Sequence, residues 1–93
     1  MKLDILTPKK TFFSGEVDSV TLPGTLGVFT LLPGHAPMIS SLRSGGEITY
    51  AQESKRNTIV TGGGFVEVWR NRVTICIDII EETAATQEPK KQP

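Results

Sequence analysis

The sequence has little of the chemistry on which enzymes rely, since its 93 residues contain one cysteine, Cys76, and one histidine, His35. Cys76 has no partner in the chain for a disulfide, which favours a reducing, cytoplasmic compartment. A histidine-based metal site would need a second histidine. Ten acidic and ten basic side chains cancel, which argues against nucleic-acid binding, because that function needs a positive surplus. These shortages favour a binding role over catalysis.

Long hydrophobic runs are also missing. The apolar patch at the N-terminus is interrupted by Asp4, and no window is suited to a signal peptide, a transit peptide or a membrane-spanning helix. A chain of this length forms one domain with a single modest core. Work at a membrane would therefore require another protein to hold the chain there.

Short extended segments separated by glycine and proline recur along the chain, and they predict eight to ten strands in an antiparallel β-sandwich or flattened barrel. The segment from Val73 to Ile79 alternates most regularly, with Val73 predicted to face inward and Asp78 outward. The almost continuously apolar segment from Val28 to Leu32 predicts a strand covered on both faces. Residues 62–64, all glycine, predict a break between two strands and a close approach of another backbone.

The C-terminal stretch differs in composition from the rest. Residues 81–93 are polar, contain no aliphatic side chain larger than alanine and end in Pro93. Such a composition cannot bury enough apolar surface to fold by itself. We therefore expect a β-sandwich domain over residues 1–80 and a short, disordered, flexible tail over residues 81–93.

The single histidine lies in a stiff corner, residues 32–37, with the sequence Leu-Pro-Gly-His-Ala-Pro. Its two prolines fix their own φ angles, and Gly34 permits a backbone shape that other residues resist. For His35, catalysis with Cys76, pH sensing near neutrality, a polar contact with a partner and a purely structural role all remain open. The partner contact is the interpretation that the residues favour.

The remaining candidate motifs have ordinary structural explanations. The three glycines at 62–64 run into the strand-like residues Phe65 and Val66, not into a helix with a following lysine, so they do not match a phosphate-binding loop. Asp18, Glu47 and Glu67 alternate with apolar residues, and no pair of carboxylates indicates an acid–base dyad. Because the sequence contains no catalytic constellation, it predicts an interaction module.

Several blocks of the sequence are similar to one known family. They are Leu3-Asp4-Ile5-Leu6-Thr7-Pro8, Phe13-Ser14-Gly15-Glu16-Val17, Val20-Thr21-Leu22-Pro23-Gly24-Thr25-Leu26-Gly27, Leu31-Leu32-Pro33-Gly34-His35-Ala36-Pro37 and Gly62-Gly63-Gly64-Phe65-Val66-Glu67-Val68. On these residues the chain resembles the N-terminal β-sandwich domain of the epsilon subunits of bacterial F-type ATP synthases. The similarity runs in order from about Leu3 to Asp78, and the Pro-Gly-His-Ala-Pro string makes it specific.

The resemblance implies an antiparallel β-sandwich of ten strands at the foot of the rotor's central stalk. It implies a non-catalytic subunit that docks the gamma subunit onto the membrane c-ring and helps to couple proton flow to ATP synthesis. Gamma and the c-ring would be its partners, it would need no cofactor or metal, and it would lie peripherally on the cytoplasmic face of the bacterial inner membrane. The expected contact residues are His35, Val28, Leu32 and Met38 for the c-ring, and Thr7 and Ser40 for gamma.

The chain departs from the family pattern in two places. Where many members carry a glutamate that meets the c-ring, this chain has Val28, so an apolar contact is expected to replace a charged one. The chain also stops where many members continue into a C-terminal helical hairpin, so neither inhibition nor nucleotide binding is expected. The alternatives are a free-standing β-sandwich that binds a small ligand near residues 62–64 and, more remotely, a hydrolase built on His35.

Overall fold

The computed structural model describes residues 1–83, and all of the secondary structure in this part of the chain is β-strand. The strands, in chain order, are β1 (Lys2–Leu6), β2 (Thr11–Glu16), β3 (Ser19–Gly24), β4 (Gly27–Leu31), β5 (Met38–Leu42), β6 (Glu47–Gln52), β7 (Lys55–Trp69) and β8 (Arg72–Thr83). Within residues 1–83 there is no helix with the length and apolar character needed to cross a membrane.

Two long strands, β7 and β8, connect the two layers of the sandwich. The first part of β7, residues 55–60, pairs with β6, and its last part, residues 64–68, pairs with β5. β8 follows β7 along both parts. One layer therefore contains β4, β3, β6 and the first part of β7, and the other contains β5, the last part of β7, β1 and β2.

The prediction of ten antiparallel strands is corrected in two respects. The described residues form eight strands, because β7 and β8 each continue from one layer into the other where two shorter strands were expected. The sheet is also mixed, since β1 runs parallel to β8 from Lys2 beside Arg72 to Leu6 beside Cys76. This pairing joins strands from opposite ends of the sequence, so no local pattern announces it. The all-β class and the sandwich architecture are confirmed.

The three glycines form a bulge inside β7 and do not break the strand. Thr61 is paired with Ile79 and Gly64 with Ile77, so Gly62 and Gly63 lie opposite the single residue Asp78 and β7 has one more residue in this interval than a regular ladder needs. Gly64 has a φ of 149°, and a Cβ at this position would overlap the carbonyl oxygen of Cys76. The predicted close approach of two backbones is therefore present, and only glycine permits it.

One core fills the space between the layers, and its largest fully buried side chains include Leu3, Ile5, Leu22, Leu31, Ile48, Ile59 and Ile75. Val73 and Ile77 are buried and Asp78 is exposed, which confirms the alternation predicted for β8. The prediction that β4 is covered on both faces was wrong. β4 is an edge strand that buries Leu31 but leaves Val28 67% exposed.

The C-terminal boundary stays a prediction. β8 continues to Thr83, where it pairs with Thr58 of β7, and most of the tail expected over residues 81–93 lies outside the described residues.

Candidate partner-binding surfaces

The corner is a type II β-turn that the sequence specifies directly. The backbone nitrogen of His35 donates to the carbonyl of Leu32 at 3.1 Å, which closes the turn. Pro33 occupies the second position of the turn, where a type II turn needs the φ that proline imposes. Gly34 occupies the third position and has the required positive φ, 87°. Residues 32–37 are all exposed. The corner therefore has a defined shape and projects from the sandwich.

His35 lies at the tip of this corner, and its ring contacts its own loop. Nδ1 lies 2.7 Å from the carbonyl oxygen of Ala36, so this nitrogen donates a hydrogen bond. Cys76 lies in β8, five positions beyond the turn residue Asn71 that borders the corner. At about 3.3 Å per residue this separation is roughly 16 Å, so the structure does not bring Cys76 to His35. In residues 1–83, no three ligating side chains are grouped as a metal site would require.

The other residues predicted to contact the c-ring are only partly brought together. Val28 and Leu32 are 67% and 57% exposed, and they lie at opposite ends of β4, about 13 Å apart along the strand. Leu32 adjoins His35 in the corner. Met38 is half-buried and packs against the core from the start of β5. The exposed set is therefore Val28, Leu32 and His35, in one continuous stretch of chain.

Thr7 and Ser40 are the residues predicted to face gamma. They lie towards opposite edges of the layer in which β1, β8, β7 and β5 are neighbours, Thr7 just after β1 and Ser40 in β5. The hydroxyl of Thr7 donates to the carbonyl of Lys10 at 3.0 Å and accepts from the nitrogen of Lys10 at 3.2 Å. The hydroxyl of Ser40 donates to the carbonyl of Ser41 at 3.1 Å. Both side chains are half-buried, and these hydrogen bonds are local.

Between Thr7 and Ser40 lies a surface that the sequence reasoning missed, the outer face of this layer. Ile39, Phe65 and Trp69 point outward from it and are 72%, 47% and 55% exposed. The strand register places Phe65 beside Cys76, and Cys76 beside Leu6. We call this set of five residues the apolar face. The signal available in the sequence was Phe65-Val66-Glu67-Val68-Trp69, in which two aromatic residues alternate with the valines and so lie on the opposite side of the strand.

Charged groups lie beside the apolar face. The carboxylate of Asp4 accepts from the hydroxyl of Ser14 at 2.7 Å, and it lies 3.8 Å from the Lys2 ammonium and 3.6 Å from the Arg72 guanidinium. The Arg70 guanidinium lies 5.3 Å from the centroid of the Trp69 ring. Glu67 is exposed between Phe65 and Trp69 on the same side of β7, and it lies beside Ile39. The face therefore combines large apolar side chains with charged groups, a mixed composition that is common in protein–protein interfaces.

An open groove of about 370 Å³ adjoins the apolar face, and Gly63, Gly64, Phe65 and Cys76 are among its lining residues. This is the place where the small-ligand alternative would put its site. The glycines belong to the bulge of β7, however, and their conformation already serves the close approach to β8. The groove is thus a part of the apolar face.

Comparison with known proteins places the domain in a family. The model of the family described as "ATP synthase, Delta/Epsilon chain, beta-sandwich domain" matches residues 1–83. The chain belongs to this family. It is 44% identical over 73 residues to the ATP synthase epsilon chain of Chlorobaculum tepidum, covering 78% of this chain and 83% of the relative. It is 40% identical over 81 residues to the epsilon chain of Geobacter sulfurreducens, where it covers 87% of this chain and 58% of the relative.

Solved structures show the same sandwich. A chain of the Euglena gracilis mitochondrial ATP synthase superposes with a TM-score of 0.74 at 24% identity, and the match covers 87% of this chain and 51% of that one. A chain of the Tetrahymena thermophila mitochondrial ATP synthase, from a structure of the central stalk and c-ring, superposes with a TM-score of 0.72 at 16% identity. This match covers 87% of the present chain and 66% of the Tetrahymena chain. The sandwich fold is therefore retained at low sequence identity.

Proposed function

We propose that the chain is a non-catalytic rotor subunit of an F-type ATP synthase, which joins the gamma subunit to the membrane c-ring and helps to couple proton flow to ATP synthesis. The observation that carries the proposal is the apolar face, because it lies on a domain whose relatives are named ATP synthase epsilon chains. The chain would then lie peripherally on the cytoplasmic face of the membrane and be held there by its partners.

The apolar face fits the docking of a large protein partner. Small monomeric proteins rarely leave several large apolar side chains together in water unless a partner covers them. Trp69 and Phe65 are aromatic, and aromatic residues contribute strongly at interface centres. We assign gamma to this face because of these exposed side chains. Ser40 is on the other side of β5, opposite the buried Val66, so it borders the face only through its backbone.

The second contact is assigned to the exposed stretch from Val28 to His35. Val28 and Leu32 offer apolar surface and His35 a polar ring. Val28 lies in β4, in the layer opposite the apolar face, and Leu32 and His35 lie in the corner that connects β4 to β5. Two separate surfaces suit a subunit that must bind two partners at once. We infer that Val28 supplies an apolar contact where many family members have a glutamate.

Binding measurements with two matched variants test this assignment. Ile39 and Val28 are β-branched, similarly exposed and located in strands, so replacing either with serine changes one surface and leaves the core unchanged. We expect Ile39→Ser to weaken binding to purified cognate gamma by about 1–2 kcal/mol, which is about a five- to thirtyfold loss. Val28→Ser should leave gamma binding unchanged and weaken binding to the detergent-solubilised c-ring.

Three results would count against the proposal. A wild-type chain that does not bind cognate gamma in a pull-down would rule out the rotor role. Equal effects of Ile39→Ser and Val28→Ser on both partners would overturn the division into two surfaces. Saturable binding of a small molecule in the groove beside Phe65, without any subunit partner, would favour a ligand-binding module instead.

A further inference from the structure

The turn between β7 and β8 is bonded to the corner through a single side chain, that of Asn71. Its Oδ1 accepts a hydrogen bond from the backbone nitrogen of Gly34 at 2.9 Å. Its own carbonyl accepts from the nitrogen of Lys2 at 3.1 Å. Asn71 has a φ of 62°, a conformation that asparagine adopts more readily than other non-glycine residues. One residue thus links the hairpin turn, the start of β1 and the corner.

The corner depends on this link for its orientation. Its other hydrogen bonds are internal, from the nitrogen of His35 to Leu32 and from the His35 ring to Ala36. These bonds define the shape of the loop but do not attach it to the sandwich. Among residues 1–83, the bond to Asn71 is the one shown between residues 33–37 and another element. Because these residues are exposed, packing adds little restraint.

We propose that Asn71 is a positioning residue that holds the corner in the orientation in which His35 and Leu32 meet the c-ring. The inference rests on the proposed function, and it adds a residue that acts on the corner through Gly34 and not by contact with a partner. A loop that is already ordered before binding avoids the entropy cost of being ordered at the interface. A freely moving corner would also transmit rotation less directly to the sandwich.

Two variants of the full chain test the role of Asn71. Asn71→Gly removes the acceptor oxygen and still permits the positive φ, so the turn and the fold should persist. Asn71→Asp keeps an acceptor oxygen at the same place. We expect the amide hydrogen exchange of Gly34 to become about tenfold faster in Asn71→Gly, which corresponds to about 1.4 kcal/mol. In Asn71→Asp, the amide hydrogen of Gly34 should exchange at the wild-type rate. The Tm of both variants should change little.

The two Asn71 variants should also differ in their affinity for the c-ring. We expect the affinity for the detergent-solubilised c-ring to fall about three- to tenfold in Asn71→Gly and to recover in Asn71→Asp, with gamma binding unchanged in both. Unchanged exchange at Gly34 in Asn71→Gly would overturn the inference, and so would faster exchange with wild-type c-ring affinity. If the wild-type chain does not bind the c-ring, the proposed function is refuted. If the wild-type chain binds and Asn71→Gly binds equally well, only the role of Asn71 is refuted.

Discussion

Removing one hydroxyl, that of Thr61, should destabilise the sandwich more than removing any other threonine hydroxyl of β7. Thr61 is fully buried, and its Oγ1 accepts from the nitrogen of Gly63 at 2.9 Å and donates to the carbonyl of Asp78 at 3.2 Å. Its backbone also pairs with Gly45 and Gly46, at 2.7 and 3.0 Å. The side chain therefore satisfies polar groups that the bulge of β7 removes from the regular ladder.

The magnitude for Thr61→Val follows from these contacts. Valine has nearly the same shape, so it creates no cavity, but it leaves the N–H of Gly63 and the carbonyl of Asp78, which are partly buried, without this partner. Such a loss costs about 1–3 kcal/mol, and the added methyl group returns roughly 0.8 kcal/mol. We expect a net loss of about 1.2 kcal/mol in the free energy of unfolding. For a domain of this size, that loss lowers Tm by about 5–10 °C.

Urea unfolding followed by circular dichroism measures the effect, and Thr58→Val is the matched control. The Thr58 hydroxyl lies 3.1 Å from that of Thr49 and is half-buried, so water can replace the lost partner. We expect Thr58→Val to change stability by less than about 0.5 kcal/mol. Equal losses in the two variants, or no loss in Thr61→Val, would show that the hydroxyl of Thr61 does not stabilise the bulge.

Two further predictions concern the glycines and the corner. Gly64→Ala should lower the free energy of unfolding by at least about 3 kcal/mol, because the added Cβ would meet the carbonyl of Cys76. Gly27 also has a positive φ but faces open space, so Gly27→Ala should lower it by only about 1–2 kcal/mol. Similar urea midpoints for the two would contradict this. His35→Ala should weaken c-ring binding by less than about 1 kcal/mol, and Pro37→Gly should affect coupling more because it loosens the corner. Proton pumping in reconstituted complexes is the measurement, and wild-type coupling in both variants would contradict the prediction.

The local features of the fold were predictable from the sequence because they depend on neighbouring residues. The alternation in β8 depends only on which side chains are apolar, and the corner's turn follows from proline and glycine at fixed positions. The length of β7 was not predictable in the same way. Three successive glycines favour a strand break, and only the pairing with β8 on the far side of the hairpin keeps the strand continuous through the bulge.

The partner surfaces were predictable only in part. Val28, Leu32 and His35 are exposed as expected, but the apolar face was missed. A strand with apolar residues on both sides, such as Phe65 and Val66, has the same sequence pattern whether a second layer or another protein covers its outer side. The bond between Asn71 and Gly34 spans 37 residues, so it depends on the folded chain and has no local signature.

The continuity of β7 and β8 has a mechanical consequence. Their hairpin turn lies beside the corner, and the two strands run from there through both layers of the sandwich. Suppose that a force is applied at the corner and resisted in the layer that contains β3, β4 and β6. This force then acts along β7 and β8. The hydrogen bonds between antiparallel strands are perpendicular to that direction, so many of them are loaded together in shear, and none has to open first. We therefore expect the β7–β8 hairpin to resist a pull between the corner and the other layer with many hydrogen bonds at once.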